Sequence, residues 1–133
     1  MNFRKENEMK SKWKNKNFFE ALKNSSNGIV HAVKEQKNLK IQLFITLIVV
    51  IFSIVLQINK IESLFICMSI SFVIFAEVFN TAIEKTVDLV TEEYNEKAKI
   101  AKDIAAGAVT IASINAVIVG IIVFLEKIIK IVG

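Results

Sequence analysis

The sequence predicts an all-α integral membrane protein in which three transmembrane helices follow an N-terminal amphipathic surface helix. The chain has 133 residues, of which 53% are hydrophobic, and this length indicates a single domain. The apolar residues form three blocks, each close to the ~20 residues that an α-helix needs to cross a bilayer. The blocks are apolar on all faces, so no stripe is reserved for the core of a soluble protein.

The first forty residues divide into a tail and a helix. Residues 1–16 are polar, lysine-rich and without periodicity, which predicts a mobile basic N-terminus ahead of a single membrane domain at 17–133. Residues 17–37 are predicted to form the surface helix, because apolar residues recur near helical spacing among lysines. The asparagine- and serine-rich stretch 24–28 within it is compatible with a kink or a break.

The three spans follow in order. Span 1 is predicted at 41–59, which contains no charged residue. Span 2 is predicted at 63–90, with a cytoplasmic extension because nothing between 84 and 90 breaks the helix. Span 3 is predicted at 97–125, with a cytoplasmic start, and its small residues favour close packing against the polar face of span 2.

The net charge of +4 is distributed unevenly. Residues 1–40 contain ten of the seventeen lysines and arginines, against four acidic residues. Basic flanking segments stay on the cytoplasmic side, so we expect a multi-pass protein of a bacterial cell membrane with a cytoplasmic N-terminus. We interpret this charge as a membrane-surface signal, and we expect no nucleic-acid partner.

One face of span 2 carries Glu77, Asn80, Glu84 and Asp88. At 100° per residue, the three acidic residues lie within about 40° of one another, and Asn80 lies about 60° to one side. Glu77 is about 10 Å deeper along the helix than Glu84. Since a charged carboxylate in hydrocarbon costs about 2.5–3.5 kcal/mol on insertion scales, this face indicates a functional site.

These residue types suit phosphate and metal chemistry at the membrane boundary. Carboxylate and amide oxygens bind Mg²⁺ when it arrives with a phosphate, and a nearby lysine such as Lys102 pairs with phosphate oxygens. The deeper Glu77 is placed to act as a general base. Two alternatives remain open: Glu84, Asp88 and Lys102 are solvated charges, or the acids form a cation or proton pathway in a non-catalytic protein.

Several common site classes are excluded by the sequence. It contains neither a GxxxxGK[ST] loop nor a GxGxxG loop, and it lacks the HRD and DFG motifs of protein kinases. Its single histidine, His31, and single cysteine, Cys67, are too few for a zinc site of the usual kind. The common nucleotide-binding loops are therefore absent.

Two motifs carry a family resemblance. The segments EVFNTAIEKTVD at 77–88 and AKIAKDIAAGAV at 98–109 closely resemble the prokaryotic diacylglycerol kinase family, which includes the undecaprenol kinases of Gram-positive bacteria. The resemblance covers roughly residues 17–126, with the same order of surface helix and spans. It implies a homotrimer in the bilayer that transfers the γ-phosphate of MgATP to a lipid alcohol, at a cytoplasmic site shared between subunits.

The resemblance also implies roles for individual residues. Glu77 would be the general base for the lipid alcohol, and Asn80 would position the reacting groups. Glu84 would hold the divalent metal, expected to be Mg²⁺, that bridges the ATP phosphates. Contacts to the nucleotide are implied for Glu84, Glu93, Tyr94, Asn95, Lys102 and Asp103. These roles agree with phosphoryl transfer as a reaction of positioning and charge neutralisation.

One position departs from the family pattern. The family usually has a metal-binding glutamate eight residues after the glycine of the surface helix, and that position is Gln36 here, with Glu35 one residue earlier. A glutamine offers a carbonyl oxygen without charge, and a shift of one residue turns Glu35 by about 100° around a helix. We expect either that Glu35 substitutes for the usual ligand or that metal binding and activity are weakened.

The lipid substrate is predicted to be undecaprenol in preference to diacylglycerol. The AAGAV run at 105–109 and the lysine-rich N-terminal helix resemble the Gram-positive branch of the family.

Overall fold

The computed structural model describes residues 17–132, so the predicted mobile N-terminus at 1–16 and the last residue lie outside the described residues. The described part contains four α-helices and no strand: α1 (Phe18–Glu35), α2 (Lys37–Val55), α3 (Lys60–Val90) and α4 (Glu96–Val132). Three of these helices, α2 to α4, are long and apolar enough to cross a membrane. The predicted all-α fold, with an N-terminal helix and three candidate spans, is confirmed.

The surface helix α1 runs without interruption through the asparagine- and serine-rich stretch 24–28. The break expected there is wrong. The hydroxyls of Ser25 and Ser26 donate to the carbonyl oxygens of Ala21 and Leu22 at 2.8 and 2.9 Å. Both hydroxyls bond carbonyl oxygens one turn back within α1, a contact that the continuous helix accommodates.

Gln36 is the one residue between α1 and α2, next to the predicted end of the surface helix at 37. Its backbone is extended, with φ −88° and ψ 117°, and its N–H donates to the carbonyl oxygen of Ala32 at 2.8 Å. The ammonium group of Lys40 donates to the carbonyl oxygen of Lys34 at 2.7 Å. These bonds satisfy backbone groups at the end of α1.

The turn between α2 and α3 contains a left-handed residue, Gln57, with φ 49°. A capping box then starts α3: the side chain of Asn59 accepts from the backbone of Ile61 and Glu62, and Glu62 accepts from the backbone of Asn59 at 2.6 Å. The same glutamate forms an ion pair with Lys127 near the end of α4, at 2.9 Å. This end of the bundle is therefore joined by polar contacts.

The packing of α3 against α4 is the main contact between helices in the described chain. With 31 residues, α3 is about 46 Å long, which exceeds the ~30 Å of bilayer hydrocarbon. On α4, Ala112 is fully buried, as expected for a small residue where helices approach closely. A side chain at Gly107 would meet nothing within 4 Å, so this glycine is not required for the contact.

The outer surfaces of the spans remain uncovered in the single chain. Only 6%, 22% and 11% of the most apolar windows of α2, α3 and α4 are buried. Such apolar surface is suited to contact with lipid or with further protein.

Candidate active site at the α1 end of the bundle

Five side chains in two hydrogen-bonded groups, here together called the polar network, lie where α2 and α3 meet the end of α1. Glu77 and Asn80 are only 3% and 7% exposed. The amide of Gln42 donates to Glu77 Oε2 at 3.3 Å, and the amide of Asn80 donates to Glu84 Oε1 at 3.0 Å. The amide of Gln36 donates to the other oxygen of Glu84, also at 3.3 Å.

The helices explain why these residues meet. Glu77, Asn80 and Glu84 are three and four residues apart, so they occupy one face of α3 over about 10 Å. Gln36 and Gln42 reach that face from the junction and from the first turns of α2. The network therefore runs from the apolar interior of the bundle to its polar end.

Gln42 is the member of the network for which the sequence predicted no role. It stands out in the sequence only as one of the few polar residues of span 1. Its pairing with Glu77 follows from how α2 lies against α3, which the spacing of residues within a helix does not reveal.

Two oxygen atoms of the network are buried without a hydrogen-bond donor among the described residues: Oε1 of Gln42 and Oδ1 of Asn80. Buried polar atoms are normally satisfied, so these two are available to a ligand or to a further donor. Both are hard oxygens and Asn80 adjoins the Glu84 carboxylate, which suits a divalent cation. Within residues 17–132, no group of three or more His, Cys, Asp or Glu could hold a metal. The arrangement fits a metal that brings phosphate ligands with it, since Mg²⁺ often takes one or two carboxylates from the protein.

Glu35 lies outside this network. Its carboxylate pairs with Nζ of Lys85 on α3 and lies 3.1 Å from Nε2 of His31. The hydrogen bond from Lys85 lowers the pKa of the Glu35 carboxyl below its ordinary value. The structure therefore brings Gln36, and not Glu35, to Glu84.

The predicted nucleotide-binding residues on α4 form a separate set of ion pairs. Nζ of Lys102 lies 2.5 Å from Oδ1 of Asp88, and Lys99 pairs with Asp103 at 2.9 Å. Asp88 is thus the partner of Lys102 on the neighbouring helix. Within the described chain, no hydrogen bond or ion pair joins this set to the polar network.

The loop between α3 and α4 contains the other predicted nucleotide contacts. The side chain of Asn95 accepts from the first backbone N–H groups of α4, so its observed role is to cap that helix. The backbone oxygen of Glu93 accepts from the hydroxyl of Thr91 at 3.1 Å. Tyr94 is 83% exposed. These residues lie at the surface at the α1 end of the bundle, where a soluble ligand could reach them.

An intramembrane groove of about 580 Å³ lies between α2, α3 and α4. Most of its lining is apolar or small, including Val73, Ala116 and Gly120. Gln42 lines the groove and also bonds Glu77, so the groove leads to the polar network. Its shape and lining suit an apolar chain.

Comparison with known proteins gives one family. A family model for prokaryotic diacylglycerol kinase matches residues 23–124. The undecaprenol kinase of Bacillus subtilis is 34% identical over 110 residues, which cover 83% of this chain and 89% of that protein.

Two diacylglycerol kinases are also similar. That of Synechocystis sp. is 42% identical over 94 residues, which cover 70% of this chain and 54% of the relative. That of Escherichia coli K12 is 38% identical over 72 residues, which cover 54% of this chain and 59% of the relative. The matched region thus spans little more than half of these two relatives.

Proposed function

We propose that this chain, which belongs to the prokaryotic diacylglycerol kinase family and is a lipid kinase, phosphorylates undecaprenol. The phosphoryl group would be the γ-phosphate of ATP, and the acceptor would be the hydroxyl of the lipid. Diacylglycerol is the second candidate substrate. The observation that carries this proposal is the position of Glu77. It is a carboxylate that is 3% exposed, bonded to Gln42 at the polar end of an apolar groove, and about 10 Å from Glu84. Family membership favours this function over the cation or proton pathway.

The chemical step requires one proton acceptor. Glu77 takes the proton of the lipid hydroxyl as its oxygen attacks the γ-phosphorus. A bond forms between the lipid oxygen and phosphorus, the bond between that phosphorus and the bridging oxygen breaks, and ADP leaves. Asn80, one turn from Glu77, positions the reacting groups.

The nucleotide arrives with a divalent metal, which we propose is Mg²⁺. Glu84 would hold it, helped by the free oxygen of Asn80 and by the side-chain carbonyl of Gln36. Once bound, the ion neutralises charge on the phosphates. Lys102 and Asp103 would contact the nucleotide, together with the exposed loop residues Glu93, Tyr94 and Asn95.

We propose that the working form is a homotrimer in the bacterial cell membrane, with its N-terminus and active site on the cytoplasmic side. The uncovered apolar faces of α2 to α4 and the unsatisfied oxygen of Gln42 support further subunits around this site. A site shared between subunits would also explain why Lys102 does not reach the polar network within one chain.

Undecaprenol is preferred as the substrate on two grounds. The undecaprenol kinase match covers most of both chains, whereas the matches to the two diacylglycerol kinases cover 54% and 59% of those proteins. The groove that reaches Gln42 is almost entirely apolar, as a long hydrocarbon chain requires.

The test is phosphate transfer by the purified protein from labelled ATP, with Mg²⁺, to undecaprenol and diacylglycerol offered in parallel. Glu77→Gln should reduce turnover at least a hundredfold, because general-base catalysis contributes about 10²–10⁴-fold, while nucleotide binding is kept. Glu126→Gln, the same substitution near the far end of α4, is the matched control. Absence of transfer to either lipid would refute the function, and full activity in Glu77→Gln would refute the assigned base.

A further inference from the structure

We infer that the Glu35–Lys85 ion pair is a positioning device that holds Gln36 against Glu84, an inference that rests on the proposed lipid-kinase function. Neither residue contacts the reacting groups in this role. The pair acts through the junction between α1 and α2, whose placement against α3 determines whether Gln36 reaches the metal-binding carboxylate.

Two consecutive residues at the α1–α2 junction contact two consecutive residues of α3. Glu35, the last residue of α1, reaches Lys85, and Gln36 reaches Glu84 at 3.3 Å. Glu84 and Lys85 are about 100° apart around α3. Two contacts in different directions from neighbouring residues fix both the height and the rotation of the junction relative to α3.

The ion pair is the stronger of these two contacts. Within the described residues, they are the hydrogen bonds that the side chains of Glu35 and Gln36 make to α3. The bond from Gln36 is long and has a neutral donor, whereas the Glu35–Lys85 bond joins two opposite charges. The orientation of the α1–α2 junction relative to α3 therefore depends more on Glu35 than on Gln36, its neighbour at the proposed metal site.

Charge explains why Glu35 lies outside the proposed metal site while Gln36, the next residue, contacts Glu84. Glu35 faces Lys85 from α3 and His31 from its own helix, and these basic partners direct its carboxylate away from Glu84. Gln36 then occupies the site without adding a second negative charge. Glu35, the residue before Gln36, therefore serves to orient the junction between α1 and α2.

A double-mutant cycle tests the role of the pair. Glu35→Gln and Lys85→Met should each raise the Mg²⁺ concentration for half-maximal activity about two- to fivefold, the range expected from an exposed ion pair. The double variant should match the single variants, and the charge-exchanged E35K/K85E variant should return to within about twofold of the unaltered protein. We expect kcat at saturating Mg²⁺ to change less than the Mg²⁺ requirement.

Lys34→Gln is the matched control, because Lys34 is adjacent to Glu35 and its side chain has no ion pair within the part of the chain that is described. It should leave the Mg²⁺ requirement unchanged. Single-variant effects that multiply in the double variant, or a charge exchange that fails to restore the Mg²⁺ requirement, would overturn the inference.

Amide hydrogen exchange in α1, without ATP or lipid, separates this inference from the proposed function. Breaking the pair should speed exchange near Glu35, and the charge-exchanged variant should reverse this change. If the unaltered protein transfers no phosphate, the kinase function fails whatever the exchange shows. If the unaltered protein is active but the single substitutions change neither the amide exchange nor the Mg²⁺ requirement, only the positioning role is refuted.

Discussion

Gln36 combines a backbone role with a side-chain role. Its extended backbone separates α1 from α2, and its amide lies 3.3 Å from the Glu84 carboxylate. A neutral amide at this position leaves Glu84 as the only carboxylate of the polar network at its outer end. The proposed Mg²⁺ site therefore has less negative charge than a site with two carboxylates, and binding should depend more strongly on the phosphates of the nucleotide.

Gln36→Glu should strengthen the proposed metal site. We expect the Mg²⁺ concentration for half-maximal lipid phosphorylation to fall about tenfold, on the order of 1.4 kcal/mol, because a second charged ligand would face the ion. The measurement is activity against Mg²⁺ at fixed ATP. Gln57→Glu, which adds the same charge at the α2–α3 turn, should have no such effect, and an unchanged requirement in Gln36→Glu would count against Gln36 as a ligand position.

At the element scale, the sequence predicts a surface helix at 17–37 and a first span from 41, and the structure has the break between the first two helices at Gln36. Length and uniform hydrophobicity identify α2, α3 and α4, because a helix that crosses a bilayer needs about 20 apolar residues. A kink or break inside the surface helix was also expected at 24–28, where glycine and short polar residues weaken a helix, yet α1 is continuous there. The serine hydroxyls bond within α1, and tertiary contacts with α3 define the junction.

The same break limits what the sequence could reveal about the site. Helical spacing brings Glu77, Asn80 and Glu84 to one face, and in the structure Asn80 bonds Glu84 while Glu77 bonds Gln42. Spacing cannot relate residues across a non-helical position, so it could not decide whether Glu35 or Gln36 faces Glu84. The contact from Gln42 was missed for a similar reason, since it depends on the packing of two helices.

The start of α3 offers a test of how this element is held. Glu62 completes the capping box with Asn59 and also pairs with Lys127. Glu62→Gln should keep the capping box, in which glutamine also serves, but lose the ion pair. Glu62→Ala should lose both, and we expect its free energy of unfolding to be lower than that of Glu62→Gln by about 1 kcal/mol.

Unfolding of the purified protein in mixed micelles measures this difference. Lys127→Met should resemble Glu62→Gln, because both remove only the ion pair. Lys130→Met is the control: its pair with Glu126 lies within one helix, and its loss should cost less than about 0.5 kcal/mol. Equal stability of Glu62→Gln and Glu62→Ala would show that the capping box contributes little.

On the scale of the whole molecule, one chain leaves the candidate site in two parts. The polar network of α2 and α3 and the Asp88–Lys102 pair are not joined by a hydrogen bond within the described chain, and the apolar faces of the spans are uncovered. Assembly of several chains would cover those faces, and it would allow the parts from different subunits to meet.

Mixing two inactive variants tests a shared site. Glu77→Gln and Lys102→Met should each abolish most activity alone. If Glu77 and Lys102 of one site come from different chains, random co-assembly should restore about a quarter of the sites. Chemical cross-linking must show that mixed oligomers form. Mixed oligomers without any recovery would place both residues of a site in the same chain.

The α3–α4 hairpin has an ion pair at each end: Glu62–Lys127 at the turn side of α3 and Asp88–Lys102 about 40 Å away along the helix. Between them, the buried residues of α4 include Ala112 and Val123, and apolar residues distinguish poorly between neighbouring alignments of two helices. If α4 moved by one helical turn along α3, about 5.4 Å, both ion pairs would break. Glu62 would then lose its charged partner and lie beside apolar residues, which is unfavourable. The two ion pairs therefore favour one alignment of α3 with α4, before any substrate or further subunit binds.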